Sequence, residues 1–246
     1  MTKKKILVLA HYFYPEVAST GQILTELCEK LQKKFEVTTI CTVPCYTGKI
    51  DEKYKVKNVY HEKYQNINII RVKVSEFDKS NKISRIKNIL DYFFRARKEI
   101  RKLKKENYDL VYTISQPPVL GGMLGCYAKK KLKSKLIYNI QDFNPEQTMA
   151  VKYSKSKLLL KLLMSIDKKS CKKSDLIITV GRDMQQTLEK RFENKIVPNN
   201  VVINNWIDEK EIYPVSKDNK KIQEFKNKYG INNKFIIMYS GNIGLY

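Results

Sequence analysis

Short apolar runs rich in β-branched residues alternate along the chain with segments of helical periodicity, and this alternation constrains the fold most. The runs occupy residues 5–10, 36–41, 67–74, 109–114, 135–140, 176–180, 201–203 and 235–240. Buried strands that alternate with helices form parallel βαβ units. The sequence therefore predicts an α/β fold built on an open, mostly parallel sheet.

The first strand is followed by a polar loop and then by a helix. Ser19 is predicted to cap that helix, and Gln22 three residues later completes a capping box. Leu24, Leu27 and Leu31 recur at helical spacing and form the side that packs on the sheet. The loop thus lies at the carboxyl end of the first strand, where open α/β sheets bind ligands.

Two later helices, predicted over residues 83–105 and 156–173, have an apolar side and a side crowded with Lys and Arg. Two interpretations stay open. Both apolar sides pack on the sheet as in ordinary crossover helices, or a helix lies in the headgroup zone of a membrane. The clustered charge favours a membrane contact for at least one of them.

The chain has 48 Lys and Arg against 25 Asp and Glu, a formal net charge of +23. This excess favours contact with phosphate groups, and a solvated lysine-rich surface is the alternative. Sixteen Tyr could stack bases, but Arg is scarce and no nucleic-acid motif occurs. A basic nucleic-acid-binding protein is therefore only a distant alternative, and we expect no nucleic-acid partner.

Five Cys occur without a C-x-x-C pair or a nearby His, which supports neither a disulfide framework nor a zinc site. No apolar run approaches the ~20 residues of a spanning helix, and the N-terminus lacks a signal-peptide core. We expect a cytoplasmic protein, soluble or bound to a surface, without a metal.

The composition of the chain changes between residues 201 and 230, where charged residues and a proline interrupt the alternation of apolar runs and helical segments. We predict a first domain over residues 1–205, a linker over 206–230 and the start of a second α/β domain over 231–246. A buried parallel strand at 235–240 would need neighbouring strands. The body of that second domain is expected to lie outside this chain.

The loop after the first strand offers the first candidate ligand site, which contains His11, Tyr14, Glu16, Thr20 and Gly21. A glycine beside a helix N-terminus lets backbone N–H groups approach a phosphate. Alternatively, the glycine only permits a tight turn. A dinucleotide-binding G-x-G-x-x-G motif is absent.

Asp142 and Glu146 follow the strand at 135–140 and form the second candidate site. Carboxylates there can accept hydrogen bonds from sugar hydroxyls or act as general bases. The alternative is helix capping by Asp142 or Asn144, with Pro145 in the first turn.

Two further candidates lie near the end of the chain. Asn205 follows the last strand of the first domain, beside the only Trp. Gly241, Asn242 and Gly244 form a glycine loop suited to a diphosphate.

In this order and spacing, the motifs resemble the retaining glycosyltransferases of family 4, of the type found in bacterial capsule, O-antigen and colanic-acid assembly. The motifs are H-Y-F-Y-P-E from His11, T-x-x-P-x-Y-x-x-G from Thr42, Y-D-L-V-Y from Tyr108, Q-D-F-N-P-E from Gln141, N-W-I-D from Asn205 and Y-S-G-N-I-G from Tyr239. The resemblance implies the GT-B fold, with two Rossmann-like domains that face each other across a cleft.

The resemblance also implies site roles. Asp142 and Glu146 would line the acceptor side as candidate catalytic residues. His11, Tyr14, Glu16, Thr20, Gly21 and Asn205 would bind substrate, and Gly241, Asn242 and Gly244 would hold the donor diphosphate. The implied substrates are a nucleotide sugar and a polyprenyl-diphosphate-linked saccharide at the inner face of the membrane, with no cofactor.

Stabilisation of the departing diphosphate would supply the main rate term. The family's cationic pair for that task and its E-x7-E carboxylates belong beyond Tyr246, so we expect no appreciable activity from this chain unless a separately encoded half docks to it. A non-catalytic remnant, or half of a split enzyme, is the alternative. Residues 115–118, Ser-Gln-Pro-Pro, stand where many relatives have a His.

Overall fold

The computed structural model describes residues 3–150, 156–193, 195–210, 212–232 and 234–239, without the side chains of 148–150. The chain divides into two compact units, Met1–Asn204 and Asn205–Tyr246.

The first unit contains a mostly parallel sheet. Its strands are β1 (Lys5–Leu9), β2 (Glu36–Thr42), β3 (Val59–Tyr64), β4 (Ile67–Val72), β5 (Leu110–Ile114), β6 (Lys135–Ile140), β7 (Leu176–Thr179) and β8 (Asn200–Val202). They are ordered β3-β4-β2-β1-β5-β6-β7-β8, and every pair except the antiparallel β3–β4 pair is parallel. The predicted α/β class and open parallel sheet are therefore confirmed.

Helices follow most of the parallel strands. They are α1 (Ser19–Leu31), α2 (Lys82–Lys102), α3 (Leu120–Leu132), α4 (Asn144–Ala150), α5 (Lys157–Lys173) and α6 (Arg182–Arg191), with α7 (Lys220–Tyr229) in the second unit. Short 3-10 turns occur at Glu52–Tyr54 and Leu103–Lys105.

The two faces of the sheet are covered by different helices. Ile6 and Val8 of β1 join α1 in one buried cluster, whereas Leu7 and Leu9 join α2 and α3 in another. Because successive side chains of a strand point to opposite faces, α1 covers one face, and α2 and α3 cover the other. A third cluster joins β6 and β7 to α5 and α6 through residues such as Tyr138.

Some predicted elements differ from the structure. Ser19 was expected to cap α1, but the helix already includes it: Ala18 holds the extended cap conformation and makes no side-chain cap bond. The prediction of a strand at 235–240 is also wrong for the part that the structure describes. Residues 234–239 form no strand, and Phe235 and Ile237 are about nine-tenths exposed. A parallel strand needs a hydrogen-bonded neighbour, and none of the described residues pairs there.

Candidate functional site

The carboxyl ends of β1 and β5, in the middle of the sheet, meet the N-terminal turns of α1, α2 and α3. A cavity of about 200 Å³ lies there, and its lining includes His11, Tyr12, Arg85, Asn88 and Gln116. The topology places this cavity where open α/β sheets bind ligands, at the carboxyl ends of the strands.

His11 is buried in this lining between two aromatic rings. Its ring stacks on Tyr12 with centroids 4.5 Å apart and on Tyr92 at 5.0 Å. Its Nε2 lies 3.1 Å from Asn88 Oδ1. Asn88 Nδ2 donates to the Ser75 carbonyl at 2.7 Å, so we assign Oδ1 as the acceptor and Nε2 as the nitrogen that carries hydrogen. Asn88 therefore fixes the tautomer of a neutral imidazole.

Burial lowers the pKa of His11 to about 4, and the hydrogen bond that its Nε2 donates to Asn88 opposes this shift. A histidine held neutral in the folded state contributes its full stability above the unfolded pKa of about 6.5 and loses it as the pH falls toward 4. Because of His11, we expect the free energy of unfolding to fall by about 2 kcal/mol between pH 7 and pH 5.

Urea unfolding of wild type and a His11→Phe variant at the two pH values measures this cost. The drop in the free energy of unfolding should be smaller in the variant by that amount. Equal drops in the two proteins would show that His11 does not titrate in this range.

Glu16 joins the loop after β1 to the loop after β2. Its Oε1 accepts the backbone N–H groups of Cys45 at 2.7 Å and Tyr46 at 2.5 Å. Its Oε2 is buried without a hydrogen-bond partner among the described residues, and burial raises the pKa of the carboxyl group. The side chain thus shapes the loop, and its predicted contact with substrate stays a prediction.

Tyr14, Thr20 and Gly21 complete the first candidate group. The Tyr14 ring stacks on Tyr64 at 3.8 Å, and Thr20 Oγ1 donates to Gln116 Oε1. Gly21 is buried inside α1, and a Cβ there would lie 3.4 Å from Tyr12. The structure therefore brings His11, Thr20 and Gly21 to the cavity lining or to its direct neighbours.

The loop after β5 approaches this group closely. Val119, just before α3, has a φ of 64°, which a β-branched residue rarely adopts. A Cβ on Gly121 would lie 2.1 Å from the Ile114 carbonyl oxygen. Glycine at 121 therefore lets α3 begin directly against the end of β5, which holds Gln116 at the cavity.

Asp142 and Glu146 follow β6, as predicted, but their surroundings differ. Asp142 is exposed, its backbone N–H donates to Ser115 Oγ at 3.3 Å, and its Oδ1 accepts from Gln147 Nε2 at 2.8 Å. Both carboxylate oxygens of Glu146 accept hydrogen bonds from the buried Arg191, at 2.7 and 2.6 Å. Asp142 is therefore accessible to a ligand, whereas Glu146 is held by an ion pair.

The remaining candidates are Asn205 and the glycine loop near the end of the chain. Asn205 belongs to the second unit and is exposed. Gly241, Asn242 and Gly244 lie outside the described residues.

Sequence reasoning missed Arg85, Asn88 and Gln116 in the cavity lining. A signal for one of them was available: Asn88 is a polar residue at a sheet-facing position of the apolar repeat of α2, where an amide needs partners. Arg85 could have been singled out only as one of seven Arg in a lysine-rich chain.

The apolar sides of α2 and α5 do not pack wholly on the sheet. Ile83, Ile86, Leu90 and Phe94 are exposed and follow one another along α2 at helical spacing; we call them the α2 stripe. The sheet-facing side of α2 consists of other residues, Asn88, Tyr92, Phe93, Ala96, Glu99 and Ile100.

The same arrangement occurs on α5. Leu158, Leu159 and Leu162 are exposed near its N-terminus and form what we call the α5 stripe. A helix that connects two parallel strands starts near the carboxyl end of the first strand and runs back along the sheet. The N-terminal halves of α2 and α5 therefore lie on the side of the sheet where the strands end, as the cavity does. None of the described helices has the length and hydropathy that a bilayer crossing requires.

Comparisons with known proteins agree with this architecture. A family model described as Glycosyltransferase Family 4 matches residues 20–211. A search of curated proteins gives no match. Among solved structures, sucrose-phosphate synthase (tll1590) from Thermosynechococcus elongatus aligns with a TM-score of 0.61 at 13% identity, over 90% of this chain and 53% of that one.

Two further structures give a similar result. Alr3699/HepE from Anabaena, solved in complex with UDP-glucose, aligns with a TM-score of 0.53 at 13% identity, over 93% of this chain and 50% of that one. α,α-Trehalose 6-phosphate synthase from Burkholderia multivorans aligns with a TM-score of 0.53 at 10% identity, over 94% and 56%. The chain thus spans about half the length of these three proteins and shares the Rossmann-like sheet of GT-B glycosyltransferases.

Proposed function

The chain belongs to Glycosyltransferase Family 4, and we propose that it is the acceptor-side domain of a retaining enzyme that transfers sugar from a nucleotide-sugar donor to a polyprenyl-diphosphate-linked saccharide. The proposed setting is the synthesis of bacterial surface polysaccharide at the inner face of the cell membrane. Alr3699/HepE, which shares the fold, was solved with UDP-glucose, and this supports a nucleotide sugar as the donor.

Within this proposal, the cavity and Asp142 receive the acceptor sugar. His11 offers a fixed neutral imidazole, and Asp142 offers an exposed carboxylate that can accept hydrogen bonds from sugar hydroxyls. Glu146 is a positioning residue in this proposal, because both of its carboxylate oxygens accept hydrogen bonds from Arg191. We propose that the loop with Gly241, Asn242 and Gly244 binds the donor diphosphate and that Asn205 binds substrate.

One observation carries the lipid part of the proposal: the α2 stripe is exposed on a helix that also lines the cavity. Apolar side chains at helical spacing, flanked by cations such as Lys87 and Lys98, have the form of an interfacial helix. Each Lys near an anionic surface contributes about 1 kcal/mol. The net charge of +23 complements such a surface, so we propose that the α2 and α5 stripes dock on anionic lipid.

Sedimentation with vesicles tests this docking. A double variant, Ile86→Glu with Leu90→Glu, should bind phosphatidylglycerol-containing vesicles about tenfold or more weakly than wild type, because two charges replace inserted side chains. Wild type should retain part of its binding at high salt, since insertion is not screened.

A matched control replaces two exposed apolar residues away from both stripes, Val56→Glu with Ile196→Glu. This variant has the same net charge as the stripe variant and should bind vesicles nearly as wild type does. If the two double variants bind equally well, the α2 stripe is not part of the docking surface.

A further inference from the structure

Arg85 differs from the other arginines of the first unit in its surroundings. Five have protein partners: Arg71 and Arg191 pair with carboxylates, Arg95 binds Asn58, and Arg97 and Arg101 contact Tyr127. The Arg85 and Arg182 side chains have no hydrogen bond, ion pair or aromatic contact within the part of the chain that the structure describes.

Of these two, Arg85 is the one that lines the cavity. It stands in the first turn of α2, one turn before Asn88, and shares the cavity wall with His11 and Gln116. Its charge also opposes the rise that burial causes in the pKa of Tyr12. Arg85 therefore presents an unpaired guanidinium to the space in which the proposed acceptor sugar lies.

Arg85 is also next in sequence to the α2 stripe. Ile86 and Ile83 are exposed on either side of it, so the apolar surface and the cavity meet at this turn of the helix. In a lipid-linked saccharide, the diphosphate stands between the lipid chain and the first sugar. A helix whose stripe rests on lipid would bring Arg85 to the level of that diphosphate.

Resting on the proposed function, we infer that Arg85 binds the diphosphate of the lipid-linked acceptor at the mouth of the cavity. A planar guanidinium donates two parallel hydrogen bonds to phosphate oxygens, which an ammonium group cannot reproduce. A donor nucleotide also carries a diphosphate. The position beside the α2 stripe favours the lipid as its source.

The test compares vesicles of phosphatidylethanolamine and phosphatidylglycerol that contain either undecaprenyl diphosphate or undecaprenol. We expect wild type to bind vesicles with undecaprenyl diphosphate more tightly than vesicles with undecaprenol. In Arg85→Gln this gain in affinity should be about tenfold smaller, because the charge-assisted hydrogen bonds to phosphate are lost. Arg85→Lys should recover only part of the gain. Arg182→Gln, which removes an exposed guanidinium outside the cavity lining, should keep all of it.

The outcomes separate the two proposals. If wild type gains nothing from undecaprenyl diphosphate, the lipid-linked acceptor itself is wrong. If wild type gains and Arg85→Gln gains equally, only the assignment of Arg85 is overturned. A gain that free UDP abolishes would assign the Arg85 site to the donor nucleotide and would also overturn the inference.

Discussion

Replacing Arg191 by methionine is expected to lower the free energy of unfolding by about 3–5 kcal/mol, the usual cost of breaking a buried ion pair from one side. The guanidinium is almost fully buried and binds Asp167 at 2.5 Å and Glu146 at 2.6 Å. Asp167 is itself buried and also accepts from Tyr138. Without Arg191, its carboxylate would stay buried without a cation.

Urea unfolding measures this effect, and two further variants make it specific. Arg182→Met changes an exposed residue of the same helix and should alter stability by less than about 0.5 kcal/mol. Adding Asp167→Asn to Arg191→Met should restore part of the loss, because it removes the uncompensated charge. An Arg191→Met protein as stable as wild type would mean that the ion pair contributes nothing to the fold.

Replacing Arg71 by methionine is the second large effect, with an expected loss of about 2–4 kcal/mol from charge-assisted hydrogen bonds left unmade. The buried side chain donates to Glu62 at 2.6 Å and to the Tyr14 carbonyl at 2.5 Å. The expected loss is smaller than for Arg191 because Glu62 is one-third exposed and water can solvate it. Because the Tyr14 carbonyl loses this donor, we expect the variant to loosen the loop that contains Tyr14 and Glu16.

Amide hydrogen exchange distinguishes this local effect from general destabilisation. Backbone N–H groups of residues 12–18 should exchange faster in Arg71→Met than the global loss of stability predicts. Arg95→Met, which removes a half-buried guanidinium bound to Asn58, should leave that loop unchanged. Equal protection of the loop in both variants would show that Arg71 does not hold it.

These two arginines illustrate what could and what could not be predicted around the candidate site. The sequence predicted that Glu16 lies in the loop after the first strand and that Asp142 follows a later strand, and the structure agrees. The partners of the neighbouring groups come from far along the chain: Arg71 is 57 residues from Tyr14, and Arg191 is 45 from Glu146. No local pattern specifies such pairs, because they depend on which strands become neighbours.

Strand β3 is an element that the sequence pattern did not predict. Its sequence, Val-Tyr-His-Glu-Lys-Tyr, mixes charged and aromatic residues, and it lies at an edge of the sheet where only one side pairs. Edge strands keep polar side chains in water and thus lack the apolar run that marks a buried parallel strand. The buried strands could be predicted for the same reason that this one could not.

The sequence by itself determined the alternation of strands and helices, the parallel sheet and the strand ends where polar residues gather, because hydrophobic periodicity and turn residues act over a few positions. The tertiary structure alone decided which side of α2 faces the sheet, which carboxylate is paired and which arginines are not. Those outcomes depend on contacts between residues 24 to 77 positions apart, and such contacts exist only once the sheet has brought the elements together.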